Sequence, residues 1–340
     1  MLKRLFGIGL VAAVLVPFAA MAQDATPEME MMAEPIELPA VDPLEFSGDI
    51  IVAGSSTVFP LTEAVANQFS EEGFAGEITI DSIGSGAGFE RFCETAETDI
   101  SNASRAIEED ELAACEANGR PALEFRVGTD ALAVVVSSAN DFLESLTIEQ
   151  LASIYTGEFT TWDQVDPSFP AETIQLFSPG SDSGTFDYFI EAVVEGQFEG
   201  DDAGDLAAAA VLGAPGIQLS EDDNVLVQGV EGSPYAIAYF GYAYFNENAD
   251  LLTAIAIDAG DGPIAPNGVT AEDGSYPIAR PLFIYSAAEV IAEKPQVGAF
   301  ISYYLSNVND LIVEVGYFPA SVEALNAAKE ALMSAMGMGM

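Results

Sequence analysis

Histidine is absent from all 340 residues. That gap removes the serine–histidine and cysteine–histidine nucleophile arrangements, together with the usual zinc ligand sets. Cations are also scarce: 9 Lys and Arg stand against 55 Asp and Glu, a formal net charge of −46. So acidic a chain repels a polyphosphate backbone, which excludes nucleic acid as a partner. Beyond Lys3 and Arg4 the basic residues are Arg91, Arg105, Arg120, Arg126, Arg280, Lys294 and Lys329, few enough that some are expected to serve particular purposes. The carboxylate excess itself reads as a solvated surface that maintains solubility, with self-repulsion limited wherever salt shortens the screening length.

Long hydrophobic runs are missing too. The apolar stretch Leu5–Phe18 is shorter than the roughly 20 residues a spanning helix needs. Lys3 and Arg4 precede it and the small-x-small triplet Ala20-Met21-Ala22 follows, so residues 1–22 read as a secretory signal peptide cleaved after Ala22. With no cysteine near that junction, a secreted, soluble protein without a lipid anchor is expected. Residues 23–45 mix Pro, Met and acid without helical or strand period and read as a disordered acidic leader. Export also bears on the only two cysteines: in an oxidising compartment Cys93 and Cys115 are expected to form a disulfide rather than stay free, a two-thiolate metal site being the alternative. No other metal site and no cofactor is implied.

What is present is α/β grammar: a short β-branched strand, a turn rich in Gly, Ser and Thr, then an amphipathic helix, repeated. The units are DIIVAG-SSTVFP-LTEAVANQFSEE, EITIDSI-GSGAG-FERFCE, TDISNAS-R-EEDELAACEA and TIQLF-SPGSDSG-TFDYFIEAVV. The apolar run Gly128–Ser138 reads as a buried strand leaving a first lobe for a second, and Ser275–Ser286 as another that could return. About 300 residues exceed one ordinary core. The expected division is therefore lobe 1 from 46–131 plus 276–340 and lobe 2 from 132–275, a hinged clamshell. Phe89, Tyr188, Phe240 and Tyr285 are expected in core or lobe-interface packing, and Trp162 in the second core.

Ser55-Ser56-Thr57-Val58, Gly84-Ser85-Gly86-Ala87-Gly88 and Ser181-Asp182-Ser183-Gly184-Thr185 each feed a helix start. Exposed backbone N–H groups, the positive end of the helix dipole and rotatable hydroxyls suit an anion. A single such turn is more often an N-cap; the recurrence points to a ligand. No GKS or GKT follows the glycines, and GSDSG centres on Asp182, not serine, so neither a Walker loop nor a nucleophile elbow is present.

AGSSTVFP, IGSGAGFERFC, DISNASR, GTDALAVVV and SPGSDSGTFDYF, in this order, resemble the PstS family of periplasmic phosphate-binding proteins, from about Asp49 to the C-terminal helices. The resemblance implies an α/β type II periplasmic-binding fold, two lobes joined by a hinge. It implies high-affinity capture of inorganic phosphate for the membrane permease subunits of an ABC importer, with no catalysis. Another tetrahedral oxyanion such as sulfate, a sensor without transport role, and a periplasmic phosphatase are the alternatives. A monomer is expected. The family's ligand-binding positions fall on Ser56, Thr57 and Val58, on Ser85, and on Ser183, Gly184 and Thr185. In two places the chain departs from the pattern. The family's proton-accepting aspartate is matched by Arg105, and its arginine ahead of the Ser-Gly-Thr loop by Pro179. Arg105 is thus expected to be the charge-assisted anion donor, a surface pair with Glu108 or Glu109 being the alternative. Asp182 is a candidate for the displaced proton acceptor, or else orients Arg105 or caps the following helix; Asp130 is a weaker candidate.

Overall fold

The computed structural model describes residues 34–181, 183–200 and 202–338. The first three β-branched runs become parallel strands in the order β2-β1-β3, with β1 at Ile50–Gly54, β2 at Ile78–Ser82 and β3 at Ile100–Ala103. Helix α1 (Phe59–Glu71) lays Leu61, Val65 and Phe69, spaced one helical turn apart, onto this sheet. Helix α2 (Ser85–Phe89) continues into a π turn at Glu90–Glu94, and α3 (Glu109–Ala117) opens on a capping box between Glu108 and Glu111. Close backbone approach fixes two glycines here. A Cβ on Gly54 would stand 2.1 Å from the Asn102 carbonyl oxygen, and one on Gly88 would stand 2.6 Å from the Gly54 Cα.

Strand β4 spans 16 residues, Ala122–Ser137, and is the spine of the molecule. Its first part pairs antiparallel with a return strand, Ala279–Ala287, from Ala122↔Ala287 to Ala131↔Ala279. Its last part, Leu132–Val136, pairs with the strand Ala236–Gly241. One strand therefore carries the chain out of the first lobe and a second brings it back. Nearly all of β4 from Val127 onward is buried, which is why it reads as a continuous apolar run rather than an alternating one.

Two large cores flank the crossing. One gathers residues of β1, α1 and β3 with the return strand and the helix Pro295–Val315. The other is built from residues between Ala131 and Ile278; Trp162 lies fully buried in it and donates its indole N–H to the Tyr235 carbonyl at 3.1 Å. Glu272 ties the crossing region together, accepting from Arg126 Nη2 (2.9 Å) and the Ser321 amide (2.9 Å) as well as from the Thr129 hydroxyl.

Of the disordered acidic leader expected at 23–45, residues 34–45 instead have defined partners: the Ile36 amide donates to Asn326 Oδ1, Lys329 Nζ donates to the Ile36 carbonyl, and Leu38 and Val41 pack on the first core. The helix Val322–Ala335 supplies these groups from the far end of the chain, so no local period announces the attachment. The signal-peptide assignment, 1–22, lies outside the described residues. Among the described residues no helix is long and apolar enough to cross a membrane.

Cys93, in the π turn, is bonded to Cys115 in α3, 22 residues on. Closing a loop of this size stabilises the fold by about 3 kcal/mol through the unfolded chain's lost entropy. Replacing both cysteines by serine is expected to lower the denaturant midpoint accordingly, in a urea titration of oxidised protein. Reductant should have no further effect on the double variant.

Candidate functional site

The turns after β1 and β2 reach one cavity of about 240 Å³, lined by Ser55, Ser56, Thr57, Gly84, Ser85, Gly86, Ser104, Arg105, Asp187, Glu191 and Arg280. Of the residues expected from sequence, Ser56, Thr57, Ser85 and Arg105 are in its wall. Val58 is not: it is fully buried, and its amide is turned to Ser55 Oγ at 3.4 Å. Ser183 and Gly184 open the next helix, Gly184–Phe189, where the Ser183 hydroxyl accepts from the Thr185 amide at 3.2 Å. A Cβ on Gly184 would approach the Ser56 carbonyl oxygen to 3.9 Å, so this turn faces the first one across the cleft. Asp182 lies outside the described residues.

Sequence reasoning missed the central cation. Arg280 lies on the return strand directly opposite Asp130 of β4, and its side chain is only 10% exposed. The guanidinium fans out to four partners: Nε to Asp130 Oδ2 at 3.3 Å, Nη1 to Glu191 Oε2 at 3.2 Å and Ser104 Oγ at 3.4 Å, and Nη2 to the Thr57 hydroxyl. Its plane rests on Tyr188, with the carbon 3.6 Å from the ring centroid, so Tyr188 is the floor under the cation as well as core. Polar contacts then run on to the second turn, where the Ser104 amide donates to Ser85 Oγ at 3.2 Å. From behind, Tyr317 donates to the Thr57 carbonyl at 2.9 Å. One signal was available, since a cation inside an otherwise buried strand must find a partner.

Arg105 is arranged differently. Both its terminal nitrogens donate to Glu111, at 2.7 and 2.8 Å, and Glu108 lies 3.4 Å from Nε. The hydrogen bond with Glu111 holds its guanidinium more firmly charged than usual. The acidic partners are therefore Glu108, one of the two surface partners the sequence offered, and Glu111, not Glu109; Arg105 itself lines the cavity. Asp130 is fully enclosed; desolvation raises its carboxyl above the ordinary range, opposed by the charge and hydrogen bond of Arg280. Desolvation also raises Asp187, again opposed by Arg280 and reinforced by Glu191. Asp187 and Glu191 stand one turn apart along the helix that starts at Gly184 and ends in a π turn at Ile190–Val194.

Two guanidiniums, hydroxyls from three segments and the amides of the first turn thus converge on a small polar space, the arrangement expected for a compact oxyanion. Among the described residues, Ser56 N–H and Thr57 N–H have no backbone acceptor, so they are free to serve a ligand.

Comparison with known proteins agrees with this architecture. Residues 40–308 match the model of a PBP superfamily domain. Protein SphX of Synechocystis sp. is 41% identical over 295 residues, 85% of this chain and 84% of its own. The phosphate-binding protein PstS of Staphylococcus saprophyticus is 32% identical over 271 residues, 79% of this chain and 80% of its own. A crystal structure described as a possible phosphate binding protein from Planctomyces limnophilus has a TM-score of 0.77 at 37% identity, covering 86% of this chain and 99% of that one. An ABC-type phosphate transport receptor from Vibrio cholerae shares the fold, with a TM-score of 0.61 at 23% identity over 79% of this chain and 99% of that one.

Arg280→Ala should expose the dependence of Asp130 on its partner. A buried charge left unpaired costs about 3–5 kcal/mol. A raised folded-state carboxyl contributes stability that is present below its unfolded value and lost as pH rises through the folded value. The deficit of the variant, read from urea unfolding, is therefore expected to be small in the ordinary carboxylate range and to grow as pH rises above it. Adding Asp130→Asn should remove most of that pH dependence.

Proposed function

The chain belongs to the PstS family of phosphate-binding proteins within the PBP superfamily, and from this we propose that it captures inorganic phosphate outside the cytoplasm and delivers it to the permease of an ABC importer. One observation carries the reading: Arg280, held at the lobe crossing by Asp130, aims donors into a cavity walled by the Ser55–Thr57 and Gly84–Gly86 turns. Bound there, a phosphate would take charge-assisted hydrogen bonds from Arg280 and Arg105, amide donors from Ser56 and Thr57, and hydroxyl donors from Ser56, Thr57, Ser85 and Ser104. Ser183, Gly184 and Thr185 would close on it from the facing lobe. Each donor replaces a water of the ion's hydration shell.

Selectivity needs an acceptor, because near neutral pH phosphate carries at least one proton and sulfate none. Asp187 fits that role: it lines the cavity, and its desolvated carboxyl is a better proton acceptor than an exposed one. A carboxylate facing sulfate meets only repulsion. Binding rather than turnover is favoured by the lack of histidine and by the receptors among the relatives.

Phosphate is expected to raise the melting temperature while equimolar sulfate does not, since a ligand stabilises the state that binds it. Equal shifts would reassign the site to oxyanions in general, and metal-dependent turnover of a chromogenic phosphate ester would favour the phosphatase alternative. Arg105→Ala is expected to weaken phosphate binding at least tenfold by calorimetry, the effect of losing a charged donor worth about 1.5–3 kcal/mol. Asp187→Asn should bring the phosphate and sulfate dissociation constants closer together, mainly by improving sulfate; an unchanged ratio would remove Asp187 from the selectivity role.

A further inference from the structure

The charges lining the cavity do not favour a dianion as they stand. Arg280 faces Asp130 and Glu191, Arg105 faces Glu111 and Glu108, and Asp187 adds a further carboxyl. An arriving anion must therefore displace an acidic side chain or bind against it. The carboxylates differ sharply in how free they are. The Asp130 side chain is 4% exposed and sits 3.3 Å from Arg280 Nε, and Glu111 is 17% exposed with contacts of 2.7 and 2.8 Å to Arg105, whereas Glu191 is 64% exposed and makes one 3.2 Å contact with Arg280 Nη1. A carboxylate this exposed keeps its access to water and leaves its partner more readily than one enclosed by the fold. Glu191 and Arg105 line the same cavity.

We infer that Glu191 is an internal surrogate anion: its carboxylate occupies the Arg280 Nη1 donor that an oxygen of the incoming ligand takes over, and competition between the two sets the affinity. The inference rests on the phosphate reading of this cavity. Asp130 keeps the guanidinium oriented throughout, while Glu191 swings toward solvent as the ligand enters. Because Glu191 belongs to the helix of the second lobe and Arg280 to the return strand, the pair also holds the two sides of the cleft in contact through a bond that ligand binding replaces. Removing the carboxylate should leave the ligand with one fewer competitor and one fewer like charge.

Titration calorimetry of the wild-type protein and Glu191→Gln with inorganic phosphate, at low salt and constant pH, separates the claims. The wild-type isotherm tests the phosphate reading; if it shows no binding, that reading fails and the inference falls with it. With wild-type binding established, Glu191→Gln is expected to bind phosphate at least fivefold more tightly, and Glu191→Asp, too short to reach Nη1 from the same backbone, to lie between the two. Weaker binding by Glu191→Gln would show that the carboxylate is itself a ligand contact, and unchanged binding that the Arg280–Glu191 pair exerts no competition; either result overturns the proposal.

Discussion

The ion pair between Arg280 and Asp130 is the interaction on which the rest of the structure depends. Burying two charges is costly, and the cost is recovered only where every donor finds a partner. Here the partners come from all sides: Thr57 from the first turn, Ser104 from the end of β3, Tyr188 and Glu191 from the second lobe. The two residues face one another in the ladder between β4 and the return strand, which also carries the chain between lobes. Site and hinge are thus built on the same backbone.

The acidity of the chain shapes how such a site can work. With 55 acidic residues, the long-range field repels an anion rather than steering it. Capture must then rely on short-range donors within the cleft, where amides and hydroxyls act over hydrogen-bond distances and remote charges are screened. In this setting each cavity cation is kept beside a carboxylate, which holds the guanidinium oriented.

The fold was largely legible because its signals are local. Strand, Gly-Ser turn and helix recur in the sequence, and β4 announces itself as an unbroken apolar run. The turns at Ser56 and Ser85 were legible for the same reason. Arg280 was not, since the strand around it reads as core and its role depends on Asp130, 150 positions away. Asp187 and Glu191 look like ordinary polar positions on an amphipathic helix; only the tertiary placement of that helix brings them to the cavity. Val58, which the family resemblance placed at the ligand, lies outside the cavity wall with its amide turned to Ser55 Oγ, an arrangement of the turn that no side-chain pattern announces. The attachment of residues 34–36 to the last helix was equally invisible, being a contact between the two ends of the described chain.

A crystal structure of the protein grown with phosphate tests the central claim most directly. The account predicts a tetrahedral anion within hydrogen-bond distance of Arg280 Nη1 and the Ser56 and Thr57 amides, with the Arg280–Asp130 pair intact. An anion bound elsewhere, or one in this cavity without contact to Arg280, would contradict it.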